Sequence, residues 1–361
     1  MARGLLVIKI LTPTHPGAGT SVGAIDLMLQ REVTTDFPFI QGSSLKGAIR
    51  GYLETQPVED KELANELINF VKQHGDEELK RKAEELDSGN MKVYQAREFV
   101  QKVEREKKEE VKKFKRLYEK LDKVFGPYES GREFKRSALI ISDASLLFYP
   151  VRSLKGLYAL VTCPEILRRL KMSHIGFEIP DSLLDLNDKD KVKALDTAKS
   201  NYAINGRVYF EDMNFQVTDL GQNELDWLKN LGFVGKIDDK NSDFYKIASR
   251  LFIVHDDVFQ YFVKFATMVM SRNRISYTTG VVERGALWTE EHLPPETYLF
   301  SYLEDDGNPV DGSQTAFNWL KNQFNSSKVI HLGGDETVGK GFVDLSFTDL
   351  NPNPNGQSSG G

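Results

Sequence analysis

Apolar positions along the chain fall into patterns that name its elements. Leu5-Leu6-Val7-Ile8-Lys9-Ile10-Leu11 is a short apolar run, the signature of a buried strand. A loop rich in proline and glycine follows over 12–26. Ser43 and Ser44 then stand as N-caps before Leu45, Ile49 and Tyr52-Leu53, whose spacing predicts a helix. Over 55–125 the apolar residues Leu63, Leu67, Phe70-Val71, Val100, Val103, Val111, Phe114, Leu117, Leu121 and Val124 recur at helical spacing. A polar break at Asp87-Ser88-Gly89-Asn90 divides them, so two amphipathic helices folded back on each other are expected. Strand character returns at 137–151 and continues as a strand and short helix over 154–171. Residues 181–250 are mixed and polar, with a strand pair near 206–217. Residues 257–270 read as helical and 271–290 as a hairpin turning at Thr278-Thr279-Gly280. A helix at 319–324 and strands at 328–332 and 342–348 close the pattern. The last residues, 351–361, are expected to be disordered. Strands and helices do not alternate regularly, so α+β is favoured over a doubly wound sheet.

Composition narrows this picture. A chain of 361 residues suits one or two domains. The segment 55–125 carries 17 basic and 17 acidic residues, as a solvated helical insertion would. Cys163 is the single cysteine, which excludes an internal disulfide and a cysteine zinc site. No apolar run approaches the length of a membrane span, so no membrane partner is expected. The first apolar run is broken by Lys9 and lacks a signal-type cleavage site, which points to the cytoplasm. The net charge of −6 argues at first against nucleic acid, but the charge is uneven. Residues 290–311 hold seven acids and no Lys or Arg, whereas 132–171 hold eight basic residues against three acidic ones.

Two motifs bear on chemistry. Gly334-Asp335-Glu336-Thr337-Val338-Gly339-Lys340 imitates a P-loop, but Gly341 stands where Ser or Thr would hold magnesium. A strand-like stretch follows it, so a glycine-rich hairpin turn is expected instead. None of the six histidines forms a ligand pair with metal-site spacing; His15 alone sits in a loop of functional character. The segment Gly42-Ser43-Ser44-Leu45-Lys46-Gly47 opens a helix with free N–H groups, two hydroxyls and an ammonium, an arrangement that attracts phosphate. Arg50 lies one turn beyond Lys46 on the same face.

The loop 12–26 and the segment 39–50 resemble the RAMP superfamily of CRISPR-associated RNA-binding proteins. Segments 125–126, 141–156, 285–297 and 333–341 narrow the likeness to backbone subunits of type III-B (Cmr) effector complexes. The resemblance implies a ferredoxin-like (RRM-like) palm over 1–54 and 126–348, a β-hairpin thumb near 267–290 and a helical insertion over 55–125. It implies copies stacked along a guide crRNA beside other subunits of the complex, and metal-dependent cutting of a complementary target RNA at regular intervals. The divalent ion would be magnesium or manganese. The family's acidic catalytic residue matches Asp26, as metal ligand or as base, with Glu290 and His15 as secondary candidates. RNA contacts are expected at Gly42, Ser43, Ser44, Lys46, Arg50, Arg272, Arg274, Tyr277, Gly339 and Lys340. Two alternatives stay open: a non-catalytic guide-RNA scaffold, and a stand-alone endonuclease that trims precursor RNA.

Overall fold

The computed structural model describes residues 1–20, 25–127, 136–172, 178–324 and 328–350. The expected disordered tail lies outside the described residues. The chain divides into two compact units. One holds Met1–Ala2, Lys46–Ile140 and Glu304–Gln323; the other holds Arg3–Leu45, Ile141–Leu303 and the chain from Phe324 onward.

The larger unit is built on a mixed sheet whose strands run, edge to edge, Lys328–His331, Phe342–Asp349, Arg3–Ile10, Tyr298–Asp305, Ala144–Arg152, Tyr158–Thr162, Leu251–Ile253, Lys191–Leu195, Met213–Leu220 and Arg207–Phe210. Leu5 to Ile8 and Ile10 are buried, as an apolar run interrupted only by Lys9 requires of a central strand. Helix Asp256–Phe265 turns Val258, Phe259, Phe262 and Val263 inward, and Phe259 meets Phe37 edge-on at 5.0 Å. This helix stops at Phe265, short of the 257–270 span the periodicity suggested. From Met268 the exposure alternates residue by residue, and the chain runs as a strand. The resulting hairpin, Met268–Ile275 with Val282–His292, joins Leu27–Leu29 and Gly17–Thr20 in a second, four-stranded sheet.

The smaller unit is mainly helical. Asp60 and Asp76 accept hydrogen bonds from Leu63 and Leu79 N–H, capping helices Lys61–His74 and Glu77–Glu84. Helix Val93–Val111 buries Ala96, Phe99, Val100 and Val103 at helical spacing. The charged faces pair with one another, Lys82 with Glu78 and Glu98 and Lys102 with Glu98, which explains a segment at once highly charged and neutral. Inside it, Arg97 reaches Glu54 at 3.0 Å and Asp122 at 2.9 Å. No helix among the described residues is long and apolar enough to cross a membrane.

Candidate active site

The site is organised by one strand, Val282–His292, whose alternation sorts a charged run onto two faces. Thr289 and Glu291 turn toward the segment that carries Asp26. Glu290 and His292 turn toward the glycine-rich turn.

On the first face, Leu27 pairs with Glu290 through a parallel bridge, placing Asp26 against Thr289. The Thr289 N–H and hydroxyl both donate to Asp26 Oδ2, at 2.8 and 3.0 Å. The Asp26 N–H donates back to the same hydroxyl at 3.1 Å. These bonds from Thr289 hold the exposed Asp26 carboxyl below the ordinary carboxylate pKa range. Such a group is a poor proton acceptor and a persistent negative charge. Two residues on, the buried Glu291 carboxylate accepts from Arg31 and, at 3.0 Å, from Leu29 N–H. Its carbonyl accepts from His15 Nδ1 at 2.6 Å. That bond requires a proton on His15 Nδ1, since a carbonyl oxygen can only accept. Gly333 closes over the same loop: with φ at +89°, an added Cβ would stand 2.8 Å from the His15 carbonyl oxygen.

On the second face, Glu290, His292 and Asp335 bring ligand-type atoms within 4.8 Å of one another. The chain already supplies the cation there. Lys340 Nζ lies 3.2 Å from Glu290 Oε2, 3.0 Å from His292 Nε2 and 3.7 Å from Asp335. Arg272 bridges Glu290 and Asp335 at 3.3 and 3.2 Å. A metal ion would have to expel the ammonium, so the trio is a closed internal charge cluster. Burial opposes ionisation of Glu290, but hydrogen bonds from Trp288 and Lys340 and the Arg272 charge hold its pKa below the usual value. For His292, burial and the Lys340 charge push the pKa down to about 4, so it is neutral at physiological pH. The sign of the pH effect follows. An unfolded histidine titrates near 6.5, so unfolding takes up a proton between about pH 6.5 and 4. Stability from His292 is full above that window and is lost as the pH falls through it, by up to ~3 kcal/mol. In denaturant titrations His292→Gln should flatten that part of the stability–pH curve; an unchanged slope would mean the ring is protonated in the fold.

The remaining expected residues are placed differently from one another. Gly42 opens helix Gly42–Glu54, but its N–H donates to Asp143 Oδ1 at 2.7 Å. An added Cβ there would stand 2.6 Å from the Ile141 carbonyl oxygen. The glycine thus admits a neighbouring stretch of backbone, and a carboxylate occupies the helix start where phosphate was expected. Ser43 and Ser44 are exposed. Lys46 donates to the Ser137 hydroxyl and the Leu139 carbonyl at 2.6 and 2.7 Å, and burial followed by the Arg50 charge lowers its pKa. Arg50 is committed to Asp122 and the Gly126 carbonyl, and Lys340 is buried in the internal cluster. These three cations, expected at RNA, are engaged within the protein by carboxylate, carbonyl, hydroxyl or imidazole partners. Arg272 is likewise tied to Glu290 and Asp335 at the hairpin base. Toward the far end Arg274 is largely exposed and pairs only at 3.9 Å with Glu283, and Tyr277 is fully exposed, with Ile275, Val281 and Leu287 also open to solvent. Gly339 is exposed with nothing within 4 Å of an added Cβ. Sequence reasoning missed Thr289 and Arg31, and it offered Glu291 only as a secondary candidate beside Glu290 and His292. Their one visible signal was a polar run inside a strand, where alternation alone would put Glu290 and Glu291 on opposite faces.

Comparison with known proteins gives the family. The chain is 30% identical to the CRISPR system Cmr endoribonuclease Cmr4 of Pyrococcus furiosus, over 98% of both chains. It is 26% identical to the CRISPR system CMR subunit Cmr4 of Saccharolobus solfataricus, over 94% of both. Among solved structures, that of oligomeric Cmr4 from Pyrococcus furiosus is similar, with a TM-score of 0.59 and 25% identity over 98% of this chain and 100% of that one. A chain of the type III-B Cmr-beta complex bound to cognate target RNA shares the fold, with a TM-score of 0.58 and 21% identity over 96% and 97%. The profile of the RAMP superfamily matches residues 7–344, and the chain belongs to that superfamily.

Proposed function

We propose that this chain is a backbone subunit of a type III-B CRISPR effector complex, holding guide crRNA in the cytoplasm and cleaving complementary target RNA at regular intervals. The observation that carries the reading is an ionised Asp26 clamped at the base of a long exposed hairpin. The names of its full-length relatives support the same activity. The larger sheet unit corresponds in this reading to a ferredoxin-like palm, the hairpin Met268–His292 to the thumb, and the helical segment 55–125 to an insertion in the palm. Exposed apolar and cationic side chains at the hairpin's far end suit contact with nucleobases and phosphates, as an open patch of this kind marks a binding surface. Further copies of this chain and other subunits of the complex would share the RNA.

RNA can be cut by its own 2′-oxygen attacking the adjacent phosphorus while the 5′-oxygen leaves. A-form helices deny the in-line geometry this needs, so a hairpin that displaces a nucleotide does much of the catalytic work by positioning. Asp26 is held too acidic to be an effective base, so its role is electrostatic: a fixed anion beside the displaced nucleotide. Both Thr289 bonds fall on Oδ2, and Oδ1 lies outside them. One such oxygen, completed by RNA phosphate and water, fits magnesium or manganese, which bind through one or two carboxylates plus substrate phosphates. When bound, the ion would supply charge stabilisation at the scissile phosphate. His15, oriented by its Nδ1 bond to the Glu291 carbonyl, is the secondary candidate for proton transfer in this reading.

The experiment is reconstitution with guide RNA and the partner subunits. Regularly spaced products from a complementary target are expected, together with growth in particle size when guide RNA is added. Assembly without any cutting would leave a scaffold, and cutting by the isolated chain would make it a stand-alone nuclease.

A further inference from the structure

We propose that Thr289 is a positioning residue for this cleavage, locking Asp26 through its hydroxyl; the inference rests on the functional reading above. The main chain alone holds Asp26 loosely. Leu27–Leu29 is only three residues long, and it meets the hairpin strand through the single bridge Glu290–Leu27. Asp26 itself is exposed, so no packing fixes its rotamer. The Thr289 hydroxyl makes up the difference by working in both directions. It accepts from Asp26 N–H at 3.1 Å and donates to Asp26 Oδ2 at 3.0 Å, closing a ring through the residue's own main chain and side chain. The Thr289 N–H adds a second donor to the same oxygen at 2.8 Å.

Only a hydroxyl can serve both bonds at that place. An amide would be longer, and valine, equal in shape, can serve neither. The far end of the segment is held separately, by Glu291 on Leu29 N–H and Arg31. Loss of the Thr289 hydroxyl therefore leaves the strand attached and the carboxylate held by the Thr289 N–H alone, able to swing about that one bond. A misplaced charged group near a reacting centre costs roughly 10- to 100-fold in rate.

The test uses the reconstituted complex and single-turnover cutting of a complementary RNA. Thr289→Val should cut about 10- to 100-fold slower, with target-RNA affinity and unfolding midpoint unchanged. Thr289→Ser, which keeps the hydroxyl, should return the rate to within a few-fold. In an Asp26→Asn background Thr289→Val should slow cutting no further, since it acts through Asp26. A wild-type rate for Thr289→Val beside a dead Asp26→Asn would overturn the inference alone. Equal slowing by valine and serine would overturn the assignment to the hydroxyl, and so would a loss of target binding by the valine variant. Undiminished cutting by Asp26→Asn would instead overturn the functional reading beneath it.

Discussion

Asp26→Asn should reduce target-RNA cutting by at least ~100-fold while leaving guide assembly and target retention intact. The substitution is nearly isosteric, and an amide oxygen can still accept from the Thr289 N–H, so the loop keeps its course. What disappears is the charge. Hydrogen bonds from Thr289 hold that charge in place down to a pH below the ordinary carboxylate range, so the wild-type site is anionic wherever the protein is used. RNA affinity comes from many phosphate contacts, and removing one anion beside them can only leave it equal or slightly higher. Electrophoretic retention of labelled target, run with product formation on the same samples, separates the two effects. Persistent cutting would remove Asp26 from the reaction and shift attention to His15.

The second large effect concerns the helical unit. Arg97→Met should destabilise it by about 3–5 kcal/mol, seen as a lowered denaturation midpoint. The Arg97 guanidinium is 8% exposed, binds Glu54 and Asp122, and stacks over Tyr118 at 4.3 Å. Methionine keeps the length and loses the charge, leaving the Glu54 carboxylate, itself 6% exposed, with only the longer Arg50 contact at 3.5 Å. Arg97→Met with Glu54→Gln should recover part of the loss, because an unpaired buried charge costs more than a neutral pair. A drop below about 1 kcal/mol would place the network in water rather than in the interior. Arg50 belongs to the same network, so its removal should also be read in stability.

The strands 3–10, 328–331 and 342–349 were legible because apolar runs and glycine-rich turns act locally, and the false P-loop was unmasked by the strand that follows it. The hairpin was visible through its turn signal at Thr278-Thr279-Gly280, although its first residues were read as helix: Val269 and Met270 carry no local signal that separates the two. Asp26 could be matched to a family motif, but its partner could not, since 263 residues separate it from Thr289. The fates of Lys46, Arg50 and Lys340 were hidden for the same reason. A cation in a sequence looks solvated until the fold shows which carboxylate or carbonyl stands in front of it.

The two-faced strand at 288–292 imposes a parity rule on the hairpin. Its residues serve different masters by odd and even position: Thr289 and Glu291 the Asp26 segment, Glu290 and His292 the Lys340 cluster. A one-residue slip would exchange the faces, setting Glu290 against Asp26 in one direction or Thr289 against the ammonium in the other. Near the base, therefore, residues can be gained or lost only in pairs. The register shift between Asn273 and Ile275 lies toward the tip. There an irregularity can absorb an odd residue, so the distal end is free to vary in length while the base keeps count.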